Sequence, residues 1–415
     1  MVGLLKLFLV FAIVVFIIHK KVPLGVSLVL GAFLVAFLFG MNLSSILSAI
    51  LDIYLQPDTC SFVLLVALVL ALSIVMEKSG QIDRLTESLR QFLTSPKLSS
   101  AILPAIVGLL PMPGGALFSA PMVKAATSPL LVDEQRRVEI NHWFRHVWEY
   151  SWPLYPGIIY TATILKLEVK EIFLLQFPLS VVAVVVGFVF IMRRVPTLAK
   201  TSPPSVSLRR SAVFRFILDL FPFILIFILY LPFNIPLLLS LFIAFILTVL
   251  MNRIRKKAKI FYLVSSILTA SQYLNFLVMA FGVKLFSGML LKSGAISELT
   301  LFFNNSHFPP VLITIFFPFI IGFVAGITIV YCTATFPLLV ALPQISCEPL
   351  PYIVLAFTAG FSGTMLSPIH ACLSLSAQYF NARLTKVLLA LLLPAFFVLL
   401  AAFALFLLYS YWKPL

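Results

Sequence analysis

The chain has 415 residues, of which 62% are hydrophobic and 10% are charged, and its mean hydropathy is +1.13. A soluble domain of this size does not carry such a composition, so the sequence predicts a helical membrane protein with many spans. The net charge of +15 does not indicate a nucleic-acid partner, because the basic residues gather in short loops between apolar segments.

Apolar segments long enough to span a bilayer recur along the whole chain. A spanning helix needs about 20 mostly apolar residues. The sequence predicts ten such spans, at roughly 2–18, 22–40, 60–77, 141–165, 171–192, 213–231, 235–251, 273–291, 351–380 and 384–411. Two shorter amphipathic segments, at about 43–55 and 257–269, are expected to lie in the membrane interface.

Two further apolar stretches, about 99–125 and 311–342, are interrupted in the middle. The first contains Pro111-Met112-Pro113-Gly114-Gly115, and the second contains Ala325-Gly326-Ile327-Thr328. Prolines and glycines so close together do not fit inside one lipid-facing helix. We expect each stretch to form a re-entrant hairpin with its tip buried in protein. A kinked span is the alternative.

Each predicted hairpin is followed by a span that is interrupted near its centre. In 141–165 the segment Ser151–Pro153, and in 351–380 the segment Gly363–Pro368, are expected to unwind. Unwound backbone at membrane depth is tolerated around a cavity, where carbonyls and half-helix ends can bind ions or anions. The paired breaks therefore indicate a substrate or ion site.

The order of these elements occurs twice. When the sequence is laid over itself so that Ser73 meets Ser287, the stretch 73–120 aligns with 287–334 without a gap, and thirteen of the 48 pairs are identical. The sequence therefore predicts two repeats, 1–200 and 201–415, each with a hairpin and a broken helix. Repeats of this kind are typical of secondary transporters, in which the substrate site lies between the repeats.

The distribution of basic residues indicates that the second repeat is inverted. If His19-Lys20-Lys21 lies in the cytoplasm and the spans alternate, the basic residues of 136–145, 193–215 and 253–257 lie there too, as the positive-inside rule requires. With the hairpins counted as no crossings, each repeat crosses five times. We expect a multi-pass protein of the cell membrane with both termini outside the cytoplasm.

Few ionisable residues lie inside the predicted spans. Glu149 lies beside the first break, and an intramembrane carboxylate indicates function; a salt bridge to Arg145, one turn away, is the structural alternative. Lys284 could attract an anionic solute or neutralise Glu149, with snorkelling as the alternative. His370 could carry a proton or donate to a substrate, or could simply be hydrogen-bonded.

The hairpin tips and breaks supply the remaining candidates for substrate or ion binding. Glycine permits close backbone approach, and hydroxyls can hydrate a solute, although serine and threonine in spans also bond to their own helix. The predicted binding set is Pro113, Gly114, Gly115, Ser119, Glu149, Ser151, Lys284, Thr328, Thr333, Ser362, Gly363, Thr364, Ser367 and His370.

Catalytic residues, metal ligands and a resident cofactor are not predicted. His142, His146 and Glu149 share a helical face, but the metalloprotease pattern requires Glu directly after the first His, where this chain has Trp143. Gly-x-Ser-x-Gly, P-loop and Rossmann patterns do not occur at a credible position in the sequence. An intramembrane metal-dependent enzyme is the alternative from another class.

The segment Pro111-Met112-Pro113-Gly114-Gly115-Ala116, with the broken helix downstream, resembles an uncharacterised integral-membrane family of archaea and bacteria in the ion transporter superfamily. That superfamily includes gluconate permeases, divalent anion:sodium symporters and citrate transporters. The resemblance covers almost the whole chain and implies a dimeric secondary carrier with a moving transport domain of hairpins and broken helices. The Ser-Asn-Thr motifs of the anion:sodium symporters are replaced here by Pro111–Gly115 and Gly326–Thr328.

The sequence thus predicts a secondary active transporter of a small anionic organic solute, coupled to a Na⁺ or H⁺ gradient. A cation/proton antiporter, with Glu149 as the exchanging carboxylate, is the alternative within transport. The expected partners are the solute or ion, the lipid bilayer and a second copy of the chain, but no nucleic acid.

Overall fold

The computed structural model describes residues 2–93, 95–112, 115–197, 206–256, 271–306 and 308–412, together with 265, 267 and 269. All regular secondary structure in these residues is helical, which confirms the all-α prediction for this part of the chain. Among them, seven helices are long and apolar enough to cross a membrane, and six shorter apolar helices accompany them. These lengths and compositions fit a multi-pass membrane protein.

The α-helices of the described ranges lie in both halves of the chain. Those of the first half are α1 (Val2–His19), α2 (Leu24–Leu38), α3 (Leu43–Leu55), α4 (Pro57–Lys78), α5 (Gln81–Phe92), α6 (Pro96–Val107), α7 (Gly115–Thr127), α8 (Glu134–Arg145), α9 (Pro156–Leu165) and α10 (Val169–Phe190). Those of the second half are α11 (Val206–Tyr230), α12 (Leu237–Lys256), α13 (Ser271–Lys292), α14 (Ala295–Ser306), α15 (Pro310–Ala325), α16 (Thr328–Ala341), α17 (Pro343–Ser346), α18 (Pro349–Met365), α19 (Ala371–Tyr379) and α20 (Leu384–Trp412).

Local structure recurs at the offset seen in the sequence. In the alignment that places Ser73 on Ser287, the first residues of α4, α5 and α6 fall on the first residues of α13, α14 and α15, respectively. Left-handed backbone conformations recur as well. Gly80 (φ 67°) precedes α5, and Gly294 (φ 80°) precedes its counterpart α14. Lys166 (φ 55°) follows α9, and Asn381 (φ 52°) follows its counterpart α19. The two halves therefore share helix boundaries and turn conformations.

Helices of one half pack against helices of the other in matched pairs. Helix α2 contacts α13, and their counterparts α12 and α4 contact each other. In the same way α5 contacts α11 as α14 contacts α1, and α7 contacts α19 as α16 contacts α9. If every helix is replaced by its counterpart in the other half, each of these contacts becomes another observed contact. Two halves related by an approximate two-fold axis show this pattern.

A glycine that recurs in both halves permits close packing of helices. Gly108 lies against the carbonyl of Arg145, and its counterpart Gly322 lies against the carbonyl of Gly360. A Cβ at either glycine would overlap that oxygen. Small residues are favoured where helix backbones approach closely in an apolar bundle. Close helix packing therefore explains why glycine occupies this position in both halves.

The first interruption is longer than the sequence indicated. The chain leaves helix after Arg145 and enters α9 at Pro156, so the break covers 146–155 rather than Ser151–Pro153 alone. Helix α8 ends at Arg145 although the following residues His146–Trp148 include neither proline nor glycine.

The second interruption lies further along the chain than predicted. It covers 366–370, whereas Gly363 lies within α18, so the prediction that the chain unwinds at Gly363 is wrong. A Cβ at Gly363 would overlap the carbonyl of Phe319 on α15. This glycine therefore serves helix packing, as Gly322 does.

The remaining segments agree with the sequence in part. The stretches 99–125 and 311–342 each form two helices on either side of a break, and the two helices of each pair contact each other. The stretch 22–40 yields only the 15-residue helix α2. The amphipathic segment 43–55 is helix α3, but 257–269 lies mostly outside the described residues. Helices α5 and α14 were not anticipated as separate helices.

A buried polar network joins α5 to α11 and α12. Gln81 Nε2 donates to the Asp219 carbonyl at 2.8 Å, and Arg84 Nε lies 3.3 Å from Asp219 Oδ1. Arg84 Nη2 donates to Asn252 Oδ1 and Asn252 Nδ2 donates to Gln81 Oε1, each at 2.8 Å. Because α11 and α12 belong to the second half, this network ties the halves together.

We expect Asp219→Asn to destabilise the protein, because the partly buried Arg84 would lose the carboxylate that it faces. Loss of one partner of a buried ion pair costs about 3 kcal/mol or more. The measurement is Tm in detergent, compared with Glu87→Gln, which neutralises an exposed carboxylate on the same helix α5. An unchanged Tm in Asp219→Asn would contradict the assigned role of this network.

Candidate functional site

A cavity of 520 Å³ lies where the four interruptions of the helices meet. Its wall includes residues 111–112 after α6, residues from 145 to 157 around the first break, 326–329 before and in α16, and 370–372 at the start of α19. Helices α2 and α13 close the remaining side, with Asn275 of α13 contributing a polar group. Backbone interruptions from both halves thus face one cavity.

The ends of helices give this cavity a positive electrostatic character. Helices α9, α16 and α19 begin with residues that line it, and α7 begins at Gly115, against the guanidinium of Arg145. The first N–H groups of a helix lack partners within the helix and carry about half a positive charge. Convergence of helix N-termini favours the binding of an anion.

Arg145 adds a full positive charge at the same place. It is 3% exposed, Nη2 donates to the Met112 carbonyl at 3.1 Å, and Nη1 lies 3.5 Å from Cys372 Sγ. Within the described residues Nε lacks a hydrogen-bond partner, and no carboxylate forms an ion pair with the guanidinium. Arg145 is therefore a buried cation without a carboxylate at ion-pair distance among the described residues.

Gly115 is one reason why Arg145 can occupy this position. A Cβ at Gly115 would overlap the guanidinium in its present position, so glycine leaves room for Arg145 beside the start of α7. The sequence placed Arg145 among the cytoplasmic basic residues, whereas the structure buries it in the wall of the cavity.

Glu149 lies in the first break and also lines the cavity. It is 9% exposed, and Oε1 accepts a hydrogen bond from Thr328 Oγ1 at 2.7 Å. Its nearest basic side chain is His146, whose Nε2 is 4.0 Å from Oε2. The salt bridge to Arg145, which the sequence left open as the structural alternative, is not among the ion pairs of the described residues. The Thr328 bond instead joins the two halves.

Three histidines lie together beside Glu149. One ring nitrogen from each of His142, His146 and His370 lies within 4.8 Å of the others, an arrangement able to hold a metal ion. His146 and His370 line the cavity, and all three side chains are buried. His370 was predicted as a binding residue, but its proximity to the other two histidines depends on the packing of the second half against the first.

Several predicted binding residues lie near the cavity without lining it. Ser119 and Thr333 donate to carbonyls of their own helices, and Thr364 donates to Gly360 O. Ser151 forms a 2.7 Å hydrogen bond with Ser180 on α10. The structural alternative considered for such hydroxyls, bonding to their own helix, describes Ser119, Thr333 and Thr364 but not Ser151.

The other predicted residues take varied positions. Ser362 and Ser367 are buried, and their hydroxyls lack a hydrogen-bond partner in the part of the chain that the structure describes. Lys284 does not line the cavity, and its Nζ lies 5.3 Å from the ring centroid of Phe62 on α4. Pro113 and Gly114 lie outside the described residues.

Cys372, Lys21 and Tyr155 are among the cavity-lining residues that sequence reasoning missed. Cys372 follows His370 by two positions, and Lys21 precedes α2 in a left-handed conformation (φ 63°). Tyr155 donates to the Gly108 carbonyl at 2.7 Å and so fixes the end of the first break against α6. The aromatic-rich sequence from Trp148 to Tyr155 was the available signal for a structured break.

The fold and this cavity define an α-helical, membrane-type protein with a polar site between interrupted helices. A family model matches residues 2–409, and the chain belongs to that family, which is described as a protein of unknown function, DUF401. A comparison with curated proteins found no match.

The charge of the cavity predicts how Cys372 reacts. With Cys332 and Cys347 replaced by Ala, Cys372 and the exposed Cys60 remain. An anionic methanethiosulfonate should modify Cys372 at least about tenfold faster than a cationic one of similar size, because a charged cleft concentrates ions of opposite sign. The ratio at Cys60, measured by mass spectrometry of the same sample, should be near unity. A cationic preference at Cys372 would contradict the assigned electrostatics.

Proposed function

We propose that this protein is a secondary active transporter of a small anionic organic solute, driven by a Na⁺ or H⁺ gradient. The observation that carries the proposal is Arg145, a buried guanidinium in the cavity wall without a carboxylate partner among the described residues. A buried charge is costly unless it is paired. A bound anion would supply the pairing charge, and a carboxylate is the group that a guanidinium binds best in a planar, bidentate manner.

The surroundings of Arg145 support an anion rather than a neutral solute. The starts of α7, α9, α16 and α19 add partial positive charge, and Lys21 adds a further cation. The volume of 520 Å³ lies within the range of about 300–1,000 Å³ that is typical of small-molecule sites. Apolar side chains such as Phe276 and Met279 also line the wall and suit the carbon skeleton of an organic anion.

The arrangement of the two halves supports transport by alternating access. In this proposal 1–200 and 201–415 are inverted repeats of five spans, the α6–α7 and α15–α16 pairs are re-entrant hairpins, and α8–α9 and α18–α19 are the broken helices. The matched packing pairs between the halves and the position of the cavity between them favour such a scheme. The fold would then be that of the ion transporter superfamily, as a homodimer in the cell membrane.

Glu149 supports a second candidate, a cation/proton antiporter. Its carboxylate is buried, accepts from Thr328 and has no guanidinium partner among the described residues, so it could exchange a cation for a proton. In the anion transporter the same carboxylate would bind the coupling Na⁺ or H⁺. The proposal assigns no catalytic step and no resident cofactor to either version.

Arg145→Gln should abolish the binding of the transported anion. Purified wild-type protein is first tested for a rise in Tm with individual small carboxylates and dicarboxylates, each in Na⁺ or in K⁺ at several pH values. A ligand at a hundredfold excess over its Kd stabilises the folded state by about 2.7 kcal/mol. The active anion should then be taken up into proteoliposomes when the corresponding ion gradient is imposed.

The matched control is Arg90→Gln, which removes an exposed arginine on α5 and should retain both the Tm shift and uptake. A Tm shift of equal size in Arg145→Gln would contradict the role given to the guanidinium. Stabilisation only by cations, with cation-driven proton release, would favour the antiporter instead.

The inverted relation of the halves is tested at Lys20 and Asn234, which are both exposed and occupy equivalent positions in the two halves. In a background without the native cysteines, Lys20→Cys and Asn234→Cys should react with a membrane-impermeant maleimide from opposite sides. Lys20→Cys should be protected in intact cells and Asn234→Cys should be labelled. Labelling of both cysteines from the same side would exclude inverted repeats.

A further inference from the structure

Each histidine of the central cluster has one ring nitrogen committed to a backbone carbonyl. His142 Nε2 lies 3.1 Å from Met365 O, His146 Nδ1 lies 2.6 Å from His142 O, and His370 Nδ1 lies 2.8 Å from Gly326 O. A carbonyl oxygen only accepts hydrogen bonds, so in each neutral imidazole the single N–H occupies that nitrogen. The opposite nitrogen of each ring must then carry a lone pair.

These carbonyls belong to the ends of helices. Met365 is the last residue of α18, His142 lies in the last turn of α8, and Gly326 caps α15. The last carbonyls of a helix lack intrahelical partners. The three rings are therefore fixed in orientation by the same interruptions that form the cavity, and the fold determines which nitrogen each ring presents.

Two of the presented nitrogens face each other, and in the neutral forms neither of them carries a proton. His146 Nε2 and His370 Nε2 are 3.2 Å apart, and His142 Nδ1 is buried without a partner among the described residues. Two lone pairs at hydrogen-bond distance repel each other unless a proton or a metal cation lies between them. In a tetrahedral zinc site with Zn–N bonds of about 2.0–2.1 Å, two ligand nitrogens are about 3.3 Å apart.

We propose that His142, His146 and His370 form a binding site for a divalent transition-metal cation of the Zn²⁺ type. Neutral imidazoles suit Zn²⁺ and its neighbours rather than Mg²⁺ or Ca²⁺, which prefer oxygen ligands. Metal-binding histidines almost always donate the other ring N–H to a carbonyl or carboxylate, and here all three donate to carbonyls.

The surroundings leave one face of the site open to the cavity. His142 is fully buried, whereas His146 and His370 line the cavity, so a fourth ligand would come from that side. The carboxylate of Glu149, 4.0 Å from His146 Nε2, supplies negative charge close by. The neighbouring Arg145 directs its guanidinium to Met112 O and Cys372 Sγ rather than to the three rings.

A metal at this place would connect the two halves of the chain. His142 and His146 belong to the end of α8 and the first break, and His370 belongs to the second break. The ion would therefore bridge both interrupted helices. This inference does not depend on which solute the cavity takes, because the ligands are defined by the histidine geometry alone.

The test is a titration of purified full-length protein, prepared without a histidine tag and stripped with EDTA, with Co²⁺. We expect one equivalent to produce the visible absorption of four-coordinate Co²⁺, and one equivalent of Zn²⁺ to remove it. His146→Gln and His370→Gln should weaken Co²⁺ binding at least about 100-fold, since loss of outer partners alone costs 10–100-fold. The control His19→Gln, whose ring also bonds to a backbone carbonyl, should bind as the wild type does.

A second measurement does not depend on the folding of the variants. X-ray absorption of the wild-type protein loaded with one equivalent of Zn²⁺ should show nitrogen ligands at about 2.0–2.1 Å with imidazole scattering from three rings. The inference is overturned if the wild type takes up no stoichiometric Co²⁺, in which case the two facing nitrogens share a proton. It is equally overturned by a zinc shell of oxygen or sulfur alone, or by full Co²⁺ affinity in a folded His370→Gln.

Discussion

The structure depends on how backbone groups are satisfied where helices stop inside an apolar bundle. Helices that end in a hydrophobic environment leave N–H and C=O groups that water cannot reach, and each unpaired group is costly. In this protein the side chains of Arg145, His142, His146, His370 and Tyr155 donate to carbonyls near those ends. Much of the polar chemistry at the centre is therefore a consequence of interrupting the helices there.

This constraint accounts for the asymmetry of charge in the cavity. The side-chain N–H and O–H groups donate hydrogen bonds to carbonyls at the C-terminal ends of helices. The N-terminal ends of α9, α16 and α19 line the cavity instead. Several carbonyl ends are thus satisfied by side chains of the protein, whereas the amide ends line the cavity. One carboxylate, that of Glu149, also lines the cavity and accepts a hydrogen bond from Thr328 of the other half. The result is a site with an anion-binding character next to a single acidic group.

Helix breakers and hydropathy were sufficient to predict the all-helical class and the position of many helices, although seven of the described helices, and not ten, are long and apolar enough to span a membrane. Proline and glycine located the breaks between α6 and α7 and between α15 and α16, and the constant offset between the halves recovered helices that begin in step. The first broken helix was placed less accurately, because it ends at Arg145 for tertiary reasons that no local residue signals. Gly363 was assigned to a break although it lies in a helix, since glycine marks close packing as well as unwinding.

The site was harder to predict than the fold because its residues come from different halves. Arg145 looked like one more loop cation, and only packing against Gly115 and Met112 gives it a buried position. Likewise His370 and His146 belong to opposite halves of the sequence, so local spacing indicated only the His142 and His146 pair. Hydroxyl residues were selected by type, and three of the seven, Ser119, Thr333 and Thr364, bond within their own helix.

The exchanged pairing of helices has a consequence for how this chain is made. Helix α2 packs against α13, α5 against α11, and α9 against α16. Helices of the first half are therefore inserted before the helices that they contact have been synthesised. Two polar residues of α5, the buried Gln81 and the partly buried Arg84, have their acceptors on α11 and α12. During synthesis the first half must therefore persist in a partly assembled form, and it cannot act as an independently folded unit before the second half arrives.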